Sequence, residues 1–267
     1  MSEILLLQTD ERGVCTLTLN RPEYRNALDG ILISEILQAL RRAAEDPAIR
    51  VVILAGSGDA FCAGADLRWL HGHGTLERID QAGGEIGALM AALQELRKPT
   101  IARVQGAARG GGAGLVCCCD VVVAAIDATF AFSEVRLGLL PAVIAPCVLG
   151  AIGPRQARRY LLSGEIIDSE RALAIGLVHE VVKLELLGAA VEKIVAALLQ
   201  GGPHVVSETK RLLTTLASGT QMSLSQRSDL LTRLATSPEA QEGIAAFLEK
   251  RKPSWASPSP TWRGSKR

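Results

Sequence analysis

Residues 101–120 read IARVQGAARGGGAGLVCCCD, two apolar runs with three consecutive glycines between them. Gly110, Gly111 and Gly112 carry no Cβ, so a ligand can approach their N–H groups closely and unusual φ values cost little. Thr100–Val104 reads as a short buried strand and Ala113–Cys119 as the start of an apolar helix, which places the glycines at a strand-to-helix turn. Such a turn aims its free N–H groups at an anion. A tight turn that only lets the helix pack on its strand has the same signature, so other stretches must decide.

Upstream, Glu3–Thr9 and Val14–Asn20 are β-rich runs around the turn residues Asp10–Gly13, and Cys15, Leu17 and Leu19 alternate with Thr16 and Thr18, a hairpin pattern. Ile31–Ala44 has apolar residues at helical spacing until Asp46 and Pro47 stop it. Arg50–Ala55 is a continuous β-branched run of the kind that parallel strands buried on both faces display. A loop of small residues is expected over Gly56–Leu70, then a helix over Ile86–Leu96 before Pro99, and the next strand is expected to lead straight into the triple glycine. With Val121–Ile126 as a further buried strand, the first half alternates strand and helix and is α/β with right-handed crossovers.

Beyond residue 143 the pattern turns helical with little strand: Ile144–Ile152, Pro154–Leu162, Ser169–Ile175, Leu184–Leu199, Val205–Leu216, Ser223–Thr236 and Pro238–Arg251. Pro154 suits a first helical turn, and Ser169 and Ser237 suit N-caps. Pro253–Arg267, rich in Ser, Pro and Trp, is expected to be poorly ordered.

Composition narrows the classes. The 267 residues are enough for one large domain or a domain with a helical appendage, and 48% hydrophobic against 3% aromatic residues means a core of Ala, Val, Leu and Ile. A net charge of +1 without a long basic run gives no reason to expect nucleic acid or a membrane surface. The N-terminus lacks a basic region followed by an apolar one and no stretch reaches the ~18 apolar residues of a membrane span, so a soluble, cytoplasmic protein is expected. Six cysteines, three of them adjacent at 117–119, form neither a disulfide framework nor a zinc spacing and read as reduced, buried thiols. His71 and His73 flank Gly72 without a further ligand at metal spacing, so no metal is expected.

Three segments carry the candidate chemistry: Phe61–Asp66 after one buried strand, Gly110–Gly112 after the next, and Phe132–Gly138 after a third. In an open α/β sheet all three fall near the carboxyl ends of strands, where ligands bind. Two loops of small residues and one carboxylate, Glu134, suggest paired N–H donors facing a carbonyl oxygen with an acid/base beside it.

In this order and spacing, NRPEYRNAL (20–28), FCAGADL (61–67), VQGAARGGGAGLVCCCD (104–120), FAFSEVRLGLLP (130–141), GEIIDSERALAIGLVHEVV (164–182) and FLEKRKP (247–253) resemble the crotonase, or enoyl-CoA hydratase/isomerase, superfamily from residue 4 to about residue 252. The resemblance implies a spiral of ββα/βαβ units over residues 1–200, a helical trimerisation region over 201–252, a tail over 253–267, and trimers or hexamers built as dimers of trimers. It implies an acyl-CoA thioester as substrate and no separate cofactor. The thioester carbonyl would sit between the N–H groups of Ala65 and Gly111, each donor worth ~3 kcal/mol in a transition state. CoA contacts carry over to Arg25, Ala27, Ala63, Ala65, Asp66, Leu67, Phe247 and Lys250, the last two from the same or a neighbouring subunit, and further substrate contacts to Gly110, Gly114, Pro141 and Ala142. Family hydratases have two catalytic glutamates; the first position is Gly114 here, and Glu134 stands at the second.

The stretch SEVRLGLLPAVIAPCVLGAIGPRQARRYLLSGE (133–165) is closer to bacterial 3-methylglutaconyl-CoA hydratases of leucine breakdown, which also tend to lack the first glutamate. Ala142 replaces a glycine that often helps hold the water. The expectation is therefore a hydratase in which Glu134 serves as base and acid in turn, with a Δ3-Δ2 enoyl-CoA isomerase or a silent acyl-CoA binder as alternatives. A distal carboxylate on the acyl group calls for a cation. Arg109 and Arg136 are nearest in sequence, while Arg68 is expected to stay with CoA.

Overall fold

A computed structural model of the chain describes residues 3–71 and 76–256; His73 and residues 257–267 lie outside the described residues. The expected hairpin forms from β1 (Leu5–Thr9) and β2 (Val14–Leu19), paired antiparallel, with Asp10 accepting from the N–H groups of Arg12 and Val14 to close the turn. A 3-10 turn at Pro22–Tyr24 precedes α1 (Gly30–Glu45), N-capped by Asp29, whose carboxylate accepts from Leu32 N–H at 2.8 Å.

Three similar turns of chain follow. β3 (Val51–Gly56) leads to the short β4 (Ala60–Cys62) and then to α2 (Leu67–His71) and α3 (Leu76–Glu95). β5 (Thr100–Val104) leads to β6 (Ala107–Arg109) and α4 (Gly111–Cys118), and β7 (Val121–Ala125) leads to β8 (Thr129–Ala131), a 3-10 turn at Glu134–Leu137 and α5 (Ala145–Ser163). After them come β9 (Ile167–Asp168), α6 (Ser169–Ala174), β10 (Glu180–Val182), α7 (Leu187–Gln200), α8 (Pro203–Ala217), α9 (Leu224–Ala235) and α10 (Pro238–Leu248).

The long strands build a six-stranded sheet, β1-β2-β3-β5-β7-β10, parallel except for the hairpin. Its faces belong to two cores: Leu17, Val52, Leu54 and Val122 pack with α1, α3 and α4, while Val51, Ile53, Ile101 and Val123 pack with Leu187, Val191 and Val195 of α7. Burial on both faces explains the unbroken apolar runs of β3 and β7. The short strands form a second sheet, β4-β6-β8-β9.

That second sheet corrects several expectations. β5 does not run into the triple glycine; Gly106, at φ 60°, turns the chain into β6, and β6 leads there. The expected loop 56–70 contains β4 and the start of α2, and α3 starts ten residues before Ile86. The helical half contains β9 and β10, too short to show a period of two. Asp168, not Ser169, caps α6 by accepting from Arg171 N–H, while Ser169 turns inward and donates to Ile126 O. Ser237 caps α10 as expected. The start of the tail is anchored: Ser254–Ala256 is a 3-10 turn, and Trp255 donates to Gln200 O at 3.0 Å.

Candidate active site

β4, β6 and β8 are parallel neighbours; past a register shift between Ala60 and Cys62, Cys62 stands opposite Ala108 and Arg109 opposite Ala131, so their carboxyl ends are level. Phe61, Phe130 and Phe132, three of the four phenylalanines, are fully buried at these ends and fix the strands on the core. Beyond them lie Ala63–Gly64–Ala65, Gly110–Gly111 and Ser133–Glu134, and the fold brings these three segments together.

The two loops of small residues touch. A Cβ on Gly111 would lie 3.9 Å from the Ala65 nitrogen, and a Cβ on Gly64 would lie 3.3 Å from the Gly111 nitrogen. Leu28 donates to Gly64 O, Asp66 to Leu28 O and Gly110 to Ala131 O, yet the N–H groups of Ala65 and Gly111 between them meet no acceptor among the described residues. Because Leu28 and Ala65 form a parallel bridge, the amide of Ala65 faces away from Leu28. Gly111 is the first residue of α4, where an N–H has no partner within the helix. Two adjacent free donors at a helix start form a receptor for a carbonyl oxygen that gains negative charge.

Glu134 completes the arrangement. Its Oε1 would be 3.2 Å from a Cβ on Gly110, a residue at φ 47° and ψ −121° that only glycine adopts without strain. Its Oε2 is buried without a hydrogen-bond partner. Burial pushes the carboxyl above the usual glutamate range, with its own N–H partly offsetting that. The 3-10 turn carrying it is closed by Gly138 at φ 71° and fastened to the end of α5, where Arg136 Nε donates to Ser163 O at 3.3 Å. A carboxylate left unpaired beside two unpaired N–H groups is equipped for proton transfer next to a polarised carbonyl.

The sequence profile of the enoyl-CoA hydratase/isomerase family matches residues 9–258. The chain belongs to this family. It is 34% identical over 255 residues to the 2,3-dehydroadipyl-CoA hydratase of Escherichia coli, covering 95% of this chain and 98% of that one. It is also 34% identical to the crotonyl-CoA hydratase of Syntrophomonas wolfei, covering 96% and 98%. A crystal structure of an enoyl-CoA hydratase from Shewanella pealeana superposes with a TM-score of 0.89 at 38% identity, covering 95% of this chain and 96% of that one.

Within the enoyl-CoA hydratase/isomerase family the departure at Gly114 has a steric counterpart. A Cβ there would lie 2.6 Å from Ile144 Cγ2 and 3.1 Å from Met90 Cε, so the volume a side chain would occupy is filled from α3 and from the residue before α5. Gly114 lies one turn beyond Gly110, to whose carbonyl it donates at 2.9 Å. The Gly114 position is thus closed by apolar side chains. Behind it Cys118 and Cys147 bring their sulfurs to 3.2 Å as free thiols, and all six cysteines are free. Pro141 is buried and Ala142 exposed, both on the segment between Glu134 and Ile144.

The family's CoA positions divide into groups. Arg25 is exposed in the left-handed region at φ 51°, its carbonyl accepting from Ala63 N–H at 2.9 Å; Ala27 is buried beneath it and Leu67 exposed. Asp66 is engaged structurally: Oδ1 accepts from the N–H groups of Arg68 and Trp69 at the start of α2, and Oδ2 faces Arg21 at 3.6 Å. Phe247 is 82% exposed on α10, lining with Gly202, Val205, Gly243 and Trp255 a separate groove of about 420 Å³, and Lys250 follows at φ 55°. Arg109 is corrected as a candidate for the acyl group: it donates to Thr129 O at 2.6 Å and Oγ1 at 2.8 Å, two residues back along β8 from its register partner, so it folds away from Gly110. Arg136 lies against Ser163 and Gly164.

Two residues that organise the site went unread. Asn26, fully buried, accepts from Arg21 N–H and donates to the carbonyls of Ser57, Ala60 and Phe61, tying the 20–28 segment to β4. Arg21 pairs with Asp29 at 2.8 Å and donates to Ala27 O. The signal for both was a polar cluster, NRPEYRNALD, interrupting two apolar elements.

Proposed function

We propose that the protein is a hydratase that adds water across the 2,3-double bond of an enoyl-CoA thioester. The observation that carries the reading is the pair of unpartnered N–H groups, Ala65 and Gly111, beside the unpartnered Oε2 of Glu134. Glu134 takes a proton from water as its oxygen attacks C3. The π pair moves toward C1, and the thioester oxygen gains charge between the two donors. Glu134 then returns the proton to C2, so one carboxylate closes the cycle and only water is added. A purified-protein assay against a panel of enoyl-CoA esters, following loss of the conjugated chromophore, tests this; no hydrated product from any ester overturns it.

The acyl group proposed is 3-methylglutaconyl, supported by the similarity over residues 133–165. Its distal carboxylate requires a cation, and Arg136, exposed and held by one 3.3 Å bond, is freer to supply it than Arg109 with three. A higher kcat/KM for 3-methylglutaconyl-CoA than for crotonyl-CoA, narrowed by R136M, is expected; preference for crotonyl-CoA in both proteins overturns this acyl assignment alone. The closure of the Gly114 position by Ile144 and Met90 also favours a second reading, an isomerase needing one carboxylate. Conversion of a 3-enoyl-CoA ester to the conjugated 2-enoyl ester without solvent oxygen incorporation identifies it.

A further inference from the structure

Four arginines line one cavity of about 630 Å³, together with Pro154 and Gln156: Arg155, Arg158 and Arg159 of α5, and Arg171 of α6. Gly153, at φ 70° and ψ 165°, breaks α5 so that Pro154–Ser163 forms a fresh helical segment, and the spacing 155, 158, 159 sets three guanidinium-bearing side chains on one face of it. Among the described residues one carboxylate serves the group: Glu165 accepts from Arg159 at 2.7 and 3.2 Å. Arg155, Arg158 and Arg171 form no ion pair among the described residues.

Arg171 is oriented without being neutralised. Its Nε donates to the hydroxyl of buried Tyr160 at 2.8 Å and a terminal nitrogen donates to Gln156 Oε1 at 3.2 Å, both uncharged acceptors. Like charges gathered around one concavity repel unless an anion enters it, and a guanidinium fixed by neutral partners keeps its charge for a ligand. Planar guanidinium forks match phosphate oxygens in pairs. A volume in the range of small-molecule sites, with three unpaired guanidiniums, exceeds what a single phosphate fills. We infer that this cavity is an anion site for a small molecule bearing a diphosphate. The same group occurs in free nucleotides and in the CoA part of a thioester.

The test uses the full-length protein and pyrophosphate as probe, titrated calorimetrically at low ionic strength. Binding with a sub-millimolar Kd is expected, about tenfold or more tighter than inorganic phosphate and weakened by added salt. The double variant R155M/R158M alters two exposed side chains without carboxylate partners and should weaken pyrophosphate at least about tenfold at unchanged Tm, whereas R41M on α1 should not. A raised KM for acyl-CoA in R155M/R158M identifies the diphosphate as the substrate's own, and an unchanged KM identifies a separate nucleotide-type ligand; either supports the site. Absent pyrophosphate binding overturns it, as does binding indifferent to R155M/R158M. A changed assembly mass in that variant with unchanged pyrophosphate affinity also overturns it, because the arginines are then a subunit contact.

Discussion

Gly110, Gly111 and Gly112 are adjacent, yet each answers to a different constraint. Gly110 needs its positive φ and leaves room for the Glu134 carboxylate; Gly111 contributes an N–H, and a Cβ there would meet Leu28 Cδ1 at an ordinary 3.5 Å; a Cβ on Gly112 would stand 2.4 Å from Cys62 O. G111A should therefore retain near-native kcat and Tm. G111P keeps a residue suited to a first helical position and removes the donor, so kcat should fall about 10²–10³-fold in a folded protein. G112A forces backbone apart and should cost about 1–3 kcal/mol, read as a lower Tm with the site chemistry intact. E134Q separates catalysis from stability. Turnover should drop at least ~100-fold with KM little changed, while Tm rises because a half-buried carboxylate whose Oε2 has no partner is removed. The sign follows from the raised folded-state pKa: the wild-type carboxyl is fully compatible with the fold below its unfolded value near 4.3, and that stability is lost as pH rises through the higher folded value. The acid limb of kcat/KM should accordingly lie above the ordinary glutamate value, and an unshifted limb would assign the proton transfer to another group. Gly114 allows a paired test. G114E alone drives a side chain into Ile144 and should lower Tm sharply, while G114E/I144A restores the volume and should recover much of it; equal Tm values would show that the Ile144 contact is not what closes the position.

Among the elements, those legible in the sequence were the ones whose own residues carry a period. α1 and the hairpin show apolar spacings of helix and strand over 16 and 6 residues, and β3 and β7 show continuous runs because both faces are covered. The second sheet was not legible, since strands of two or three residues such as β4, β6, β8 and β9 are defined by their neighbours rather than by any pattern of their own. Glu134 and the paired donors were readable as residue types at strand ends, but their being unpartnered, and the filling of the Gly114 position by Met90 and Ile144, depend on contacts from segments distant in sequence. Docking of the C-terminal helices likewise rests on isolated polar contacts. Arg50, just before β3, donates to Leu199 O at 3.2 Å, Gly201 O at 2.8 Å and Trp255 O at 2.7 Å, holding the end of α7 and the last described turn with one side chain. R50M should cost about 2–3 kcal/mol and expose the segment after Gln200 to limited proteolysis before the rest of the chain. A cleavage pattern identical to wild type would mean that Lys210, which bonds Asp120 and Lys98 O from α8, holds the layer by itself.

At the level of the whole molecule, the C-terminal helices do not bury enough of their own apolar surface to account for their sequence. α9 has no buried residue, α8 buries Glu208 and α10 buries Ala246, while Leu213, Leu224, Leu231, Ile244, Phe247 and Leu248 are all more than half exposed. Exposed large apolar side chains on three successive helices mark a surface that another protein surface can cover. Phe247 and Leu248 also line the open groove beside Trp255, on the helix to which family resemblance assigns a substrate contact but which lies apart from Gly111 within this chain. Association of copies through α8–α10 resolves both points: it covers the exposed leucines and sets the end of α10 beside a neighbouring subunit. The purified protein should therefore have the mass of a trimer or a hexamer by light scattering. F247D/L248D places charges on the face argued to be covered and should shift the mass toward a monomer, with kcat/KM falling through KM more than through kcat if Lys250 reaches a neighbour's substrate. A wild-type monomer, or a double variant with unchanged mass and KM, would return these helices to the single chain and leave their exposed leucines without a partner.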